Sequence, residues 1–149
     1  MPMNVPMKIK KLHPDAVLPA YASAGAAGAD LHALADEGHI TVEAGKTVLV
    51  HTGVAVAIPE GYVGLVYARS GMASKRGLAP ANKVGVIDSD YRGELIVALH
   101  NHSDVTQTVE SGDRIAQLVI APVVTAAFEE VDDLDGTARG AGGFGSTGQ

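Results

Sequence analysis

The stretch Thr47-Val-Leu-Val-His-Thr-Gly-Val-Ala-Val-Ala-Ile-Pro-Glu-Gly-Tyr-Val-Gly-Leu-Val-Tyr67 decides the class of fold. It holds three runs rich in β-branched residues, at 47–52, 54–58 and 62–67, and Pro59-Glu60-Gly61 is a turn signal between the last two. β-Branched side chains crowd a helix but pack well on a pleated surface, so each run reads as a strand. The same grammar continues outward, at 94–99, 114–120 and 123–131, with Ala44-Gly45 and Ser111-Gly112-Asp113 as further turns. Turn signals recurring about every 8–12 residues predict an all-β sandwich or barrel. A single short helix is expected, from Ser70 or Gly71 to Arg76, closed by Gly77.

Composition agrees with that class. At 149 residues the chain suits one domain with a moderate core. Trp is absent, so the core rests on Val, Ile, Leu and Ala. Cys is absent too, which excludes disulfides and thiolate metal sites and fits a reducing cytoplasm. No apolar run approaches the roughly 18 residues of a membrane span, and residues 1–11 lack the apolar centre of a secretory signal. The net charge of −6 argues against non-specific binding to nucleic acid. It leaves room for a small anionic ligand, because a few Arg side chains and backbone N–H groups bind phosphate locally.

The chain divides into a β-domain at 1–138 and a tail at 139–149. About half of the tail is Gly, and it follows an acidic stretch at 129–135. Such a segment has too little apolar surface to offset its own ordering entropy. It reads either as a frayed terminus or, given Arg139 and Phe144, as an arm that orders on a ligand.

Two strings mislead. Gly45-Lys46-Thr47 resembles the end of a P-loop, but Ile40 stands where the first Gly belongs, and a strand follows instead of a helix. Gly140-Ala-Gly-Gly-Phe-Gly145 matches the dinucleotide fingerprint with no strand before it and no helix after it. His100 and His102 have strand spacing for a metal pair but lack a third ligand, and satisfied histidines are the simpler reading. His13, His32, His39 and His51 show no constellation.

Two segments carry chemistry. In Asn82-Lys-Val-Gly-Val-Ile-Asp-Ser-Asp-Tyr-Arg-Gly-Glu94, residues 88–93 read as the turn of a β-hairpin holding two carboxylates and a Tyr. Asp88 and Asp90 are either turn formers bonded to their own backbone or the source of a general base, with Tyr91 as a flat packing surface. Val84, Val86 and Asp88 are expected to share one strand face, and Gly85 to admit a close neighbour. Ala68-Arg-Ser-Gly71 lies where a strand gives way to a helix, so its free N–H groups, guanidinium and hydroxyl suit phosphate. The simpler alternative is helix capping by Ser70. Arg139 with Ser146 and Thr147 is a second phosphate clamp by the same logic.

Taken together, these segments resemble the trimeric dUTPase family, whose members carry five short motifs in fixed order. Ala27-Gly-Ala-Asp-Leu31 is similar to the first, Arg69-Ser-Gly-Met-Ala73 to the second, and Gly85-Val-Ile-Asp-Ser-Asp-Tyr-Arg-Gly-Glu94 to the third. Gly112-Asp-Arg-Ile-Ala-Gln-Leu118 and Arg139-Gly-Ala-Gly-Gly-Phe-Gly-Ser-Thr-Gly148 are similar to the fourth and fifth. The resemblance runs from about residue 20 to the C-terminus. Ala68 stands where Pro or Gly often precedes the Arg, and Met72 takes a Leu position, a volume-conserving swap.

The resemblance implies a jelly-roll β-fold with one short helix, assembled as a homotrimer whose active sites are shared between subunits. It implies a cytoplasmic dUTP diphosphatase that uses Mg²⁺ to release dUMP and pyrophosphate, limiting uracil in DNA and supplying dUMP for dTMP synthesis. By position, Asp88 is expected to activate the attacking water, and Tyr91 to pack beneath the deoxyribose. Asn82 and the backbone at Val86, Ile87 and Ile96 are expected to read uracil, while Arg69, Ser70, Gly71 and Gln117 hold phosphates. Arg139, Phe144, Gly145, Ser146 and Thr147 would close over the nucleotide. Asp30 would act through water on Mg²⁺ carried mainly by the triphosphate. The alternatives are a dCTP deaminase-like enzyme and a non-catalytic, nucleotide-sensing trimer.

Overall fold

The computed structural model describes residues 4–145. In chain order its elements are β1 Lys8–Lys11, β2 Ala20–Tyr21, β3 Ala29–His32, β4 His39–Val42, β5 Thr47–Ala57 and β6 Tyr62–Tyr67. After them come α1 Ser70–Lys75, β7 Leu78–Pro80, β8 Val84–Ile87, β9 Glu94–Asn101, β10 Gln107–Glu110 and β11 Arg114–Pro122. One sheet runs β1-β5-β9-β7, a second β2-β3-β11-β6-β8, and β10 pairs with β4 alone. Every pairing is antiparallel.

Alternation places the core. In β9, Leu95, Val97, Leu99 and Asn101 turn inward, and Glu94, Ile96, Ala98 and His100 turn outward. Val50, Val54 and Val56 of β5 meet Leu31, Val66, Ile115 and Leu118 of the other sheet in a single apolar cluster. Burying each such side chain is worth about 1.5–3 kcal/mol. Among the described residues, no helix is long and apolar enough to cross a membrane.

The runs at 47–52 and 54–58 prove to be one strand interrupted by a bulge. Register passes from His51↔Ile96 to Ala55↔Glu94, and Gly53 occupies the left-handed region at φ +72°. A Cβ there would sit 2.7 Å from a Leu34 methyl and 2.8 Å from the Ala16 Cβ, so the site has neither backbone freedom nor space for another residue.

The expectation of a strand at 123–131 is not met within the chain. Beyond a bond from Val123 N–H to Gly61 C=O the segment forms no strand, and Val124 and Phe128 are 93% and 97% exposed. Its β-propensity was real, but propensity cannot supply a partner edge.

Asn101, buried like Thr52 and Asp30, is a polar residue in the core that is wholly buried and fully bonded. Its Nδ2 donates to the carbonyls of Val42 and Val105, and its Oδ1 accepts from Ser103 N–H and Oγ. Asn101→Ala strands buried groups that cost about 1–3 kcal/mol each, so the variant is expected to lose about 2–4 kcal/mol in urea unfolding.

Candidate active site

The short helix forms as expected but is not capped by Ser70. Arg69 is the N-cap residue, with extended backbone and no side-chain cap bond, and Ser70 is the first helical residue. The hydroxyl of Ser70 is thereby left at an exposed helix start beside Gly71, whose Cα faces open space.

Arg69 is aimed by a carboxylate from a neighbouring segment. Its Nε lies 2.8 Å from Oδ1 of buried Asp30, and Arg114 Nη1 lies 3.6 Å from Oδ2. Both oxygens of Asp30 therefore face guanidinium groups, which makes its first role the orientation of Arg69. Next along β3, burial lowers the pKa of His32; nearby Asp30 opposes this, and Arg114 and Arg69 add to it. Gln117 of β11 donates from Nε2 to the Ala68 carbonyl at 2.8 Å. Gly28 is what lets it lie there, since a Cβ on residue 28 would come within 2.4 Å of Gln117 Oε1. Asp30, Arg69 and Gln117 thus form one rigid corner, with Ser70 and Gly71 at its lip.

The segment expected as a hairpin is built otherwise. β8 pairs with β6, and β9 with β5 and β7, so the two strands that flank residues 88–93 belong to different sheets. β8 is the edge of its sheet. β7 covers β9 only from Leu99 to Asn101, extended by a bond from Ala81 N–H to the Ala98 carbonyl. Strand period places the Ile96 amide and carbonyl on the same side as those of Ala98. The chain provides no strand for them there, among the described residues. Val86 and Ile96 are 62% and 42% exposed. Val84 and Val86 share a face of β8, but it turns away from the core, which Ile87 touches instead, and Asp88 lies one residue past the strand. Gly85 admits the close neighbours expected of it, with its Cβ position 3.3 Å from Val66 Cβ and 3.4 Å from Asn82 Nδ2.

In the turn, Tyr91 N–H bonds the Asp88 carbonyl, and the Asp88 side chain stands exposed. Tyr91 Oη donates to the Glu94 carbonyl at 2.8 Å, which folds the ring over Gly93.

One chain does not bring Asp88 and Arg69 together. Ile87 pairs with Gly64 and Val84 with Tyr67, so Asp88 and Arg69 extend from opposite ends of the β6–β8 ladder. At about 3.3 Å per residue, Asp88 lies roughly 13 Å along that ladder from Tyr67. Arg139 bonds within the tail, from Nε to the Gly142 carbonyl, while Phe144 is fully exposed at φ +51° and Gly145 has φ +85°. Ser146 and Thr147 lie outside the described residues. Two surface hollows, both lined by Met7, Tyr21 and Ile120, include none of the expected site residues.

The model of the dUTPase family matches residues 15–148, which includes the whole corner and the whole turn. The chain belongs to the dUTPase family. A deoxyuridine 5'-triphosphate nucleotidohydrolase of Syntrophotalea carbinolica is 52% identical over 145 residues, covering 97% of this chain and 98% of that one. A protein of the same name from Acinetobacter baumannii is 47% identical over 150 residues, covering 100% and 99%. Among solved structures, the Staphylococcus bacteriophage 80alpha dUTPase with dUPNHPP superposes with a TM-score of 0.88. It shares 30% identity, covering 98% of this chain and 100% of that one. A variant of the phage phi11 dUTPase of S. aureus, described with a structural Mg(II) ion, gives a TM-score of 0.77 at 29% identity, covering 87% and 98%.

For this dUTPase family member, the pair that sequence reading missed is His51 with Glu94. His51, expected to belong to no constellation, places Nδ1 2.9 Å from Glu94 Oε1, and Gly53 N–H donates to Oε2 at 2.8 Å. Burial pulls the Glu94 pKa up, but the bonds from His51 and Gly53 outweigh it and leave the carboxyl below its usual value. The partners are 43 residues apart, so only strand register could have revealed them. The other histidines of interest have separate partners, His100 with Thr47 Oγ1 and His102 with the Ala73 carbonyl.

Proposed function

We propose that the chain hydrolyses dUTP to dUMP and pyrophosphate in a homotrimer whose active sites are shared between subunits. The observation that carries this reading is the exposed Asp88 between β8, the edge strand of its sheet, and the stretch of β9 around Ile96 that β7 does not cover among the described residues. Backbone donors and acceptors at Val86, Ile87 and Ile96, with the Asn82 amide, suit the edge of a uracil ring. Cytosine reverses the pattern at position 4 and would leave buried groups unpaired, at about 1–3 kcal/mol each. Tyr91 packs beneath the deoxyribose and excludes a 2′-hydroxyl by contact.

Asp88 orients a water in line with the α-phosphorus and takes its proton as the new bond forms, and pyrophosphate departs. Arg69, held by Asp30, and the lip at Ser70 and Gly71 bind phosphate oxygens, with Gln117 positioning water among them. Because these groups lie away from Asp88 within one chain, a second copy completes the site. The tail of a further copy closes it through Arg139, Phe144, Gly145, Ser146 and Thr147, excluding bulk water. The exposed Val124, Phe128 and Leu134 support an arm that leaves its own subunit.

Among the described residues, no group of three or more His, Asp or Glu forms a metal cage, and Asp30 is engaged by arginines. The residues fit a Mg²⁺ that arrives on the triphosphate, with Asp30 reaching it only through water. When bound, such a cation would fix the phosphate conformation and offset charge on the leaving group. The setting proposed is the cytoplasm.

A panel of deoxynucleoside triphosphates with Mg²⁺, assayed for pyrophosphate, tests the reading. Release from dUTP alone, abolished by EDTA, is the expected result. Ammonia from dCTP would replace it with a deaminase, and dUTP binding without release with a sensor.

A further inference from the structure

The bulge of β5 is an unusually firm piece of backbone. His51 C=O accepts from Leu34 N–H, and Gly53 C=O accepts from Leu12 N–H. Thr52, wholly buried, donates from Oγ1 to the Leu95 carbonyl at 2.6 Å. Gly53 is enclosed by Leu34 and Ala16. The Glu94 carboxylate is fastened to this bulge twice, through Gly53 N–H at 2.8 Å and His51 Nδ1 at 2.9 Å. A carboxylate can only accept, so the His51 ring carries its hydrogen on Nδ1. The carbonyl of the same Glu94 receives the Tyr91 hydroxyl at 2.8 Å. A continuous line of contacts therefore runs from the core through Glu94 to the Tyr91 ring.

We propose that Glu94, braced by His51 and Gly53, is a positioning residue that sets the height of the Tyr91 ring and with it the rejection of ribonucleotides. The inference rests on the proposed dUTP site, in which Tyr91 lies beneath the sugar. Rejection of a 2′-hydroxyl is steric, and a steric wall discriminates only as well as it is held in place. A ring free to retreat by a fraction of an ångström admits the extra oxygen. Glu94 touches no reacting atom in this arrangement and acts through Tyr91.

The test compares kcat/KM for dUTP and for UTP in the intact enzyme. Glu94→Ala is expected to lower the dUTP/UTP ratio about tenfold, chiefly through a gain on UTP and a raised KM for dUTP. Glu94→Gln keeps the shape and two polar atoms, and restores most of the ratio. His51→Ala, which trims a half-exposed side chain, lowers it in the same direction by less. Tyr91→Phe keeps the ring but loses the tether, so it lowers the ratio as well. The double variant Glu94→Ala/Tyr91→Phe falls no further than the worse single one, because both cut the same line. If wild type turns over dUTP selectively and the His51→Ala and Glu94→Ala ratios are unchanged, the proposal is overturned while the site reading stands. Multiplying effects in the double variant overturn it likewise. If wild type releases no pyrophosphate from dUTP, both readings fall together.

Discussion

Asp88→Asn is expected to lower kcat for dUTP by about 10²-fold or more while leaving dUTP binding largely intact. Asn has nearly the shape of Asp, and the exposed turn that carries residue 88 is held by a backbone bond to Tyr91 N–H, which the substitution spares. What disappears is the acceptor proposed for the water's proton. Single-turnover hydrolysis alongside equilibrium binding of a non-hydrolysable dUTP analogue separates the two effects. A near-normal kcat would refute the role of base. A large loss of binding would instead place Asp88 among the groups that hold substrate.

The second large effect concerns the tail. Deleting residues 139–149 removes Arg139, whose proposed charge-assisted contact to phosphate would be worth about 1.5–3 kcal/mol, or roughly 10–100-fold in kcat/KM. The proposed trimer should persist, since the exposed apolar residues Val124, Phe128 and Leu134 all precede the cut. Unchanged kinetics would make the arm inert. Mixing the truncated chain with Asp88→Asn chains then asks whether sites are shared. If base and arm come from different subunits, equal mixing regenerates about one quarter of wild-type sites. If each chain supplied both groups to a single site, no mixture would recover activity. Proven subunit exchange without recovery would therefore count against sharing.

The ladder between β6 and β8 makes this second experiment physically pointed. It separates Asp88 from the Arg69 corner within one chain, so the proposed chemistry needs either a neighbouring subunit or a rearrangement of a paired sheet. Breaking an established ladder to close that distance is far costlier than using a second copy.

Much of the architecture was legible in the residues. The run at 94–99 was read as a strand and is one, β9, while the choice of Leu95, Val97 and Leu99 as its buried face came from the packing, since residues 95–99 are all apolar. Gly77 closed the short helix where expected, at φ +68°. The five motifs named the family, and the match over residues 15–148 agrees. Local sequence misjudged matters of partnership. Residues 123–131 had the composition of a strand but pair with no edge among the described residues. Residues 82–94 looked like a hairpin, yet β8 and β9 joined different sheets.

By itself, then, the sequence determined which runs form strands, where the chain turns, and which residue types stand ready for a nucleotide. Those are consequences of side-chain size, branching and backbone freedom over a few neighbouring residues. Only the tertiary structure decided that Asp30 steers Arg69 across 39 residues, that Gln117 rests in the space Gly28 leaves, and that His51 finds Glu94. Register and edge choice are settled by how whole sheets pack, and many pairings satisfy the same local pattern until the core selects one.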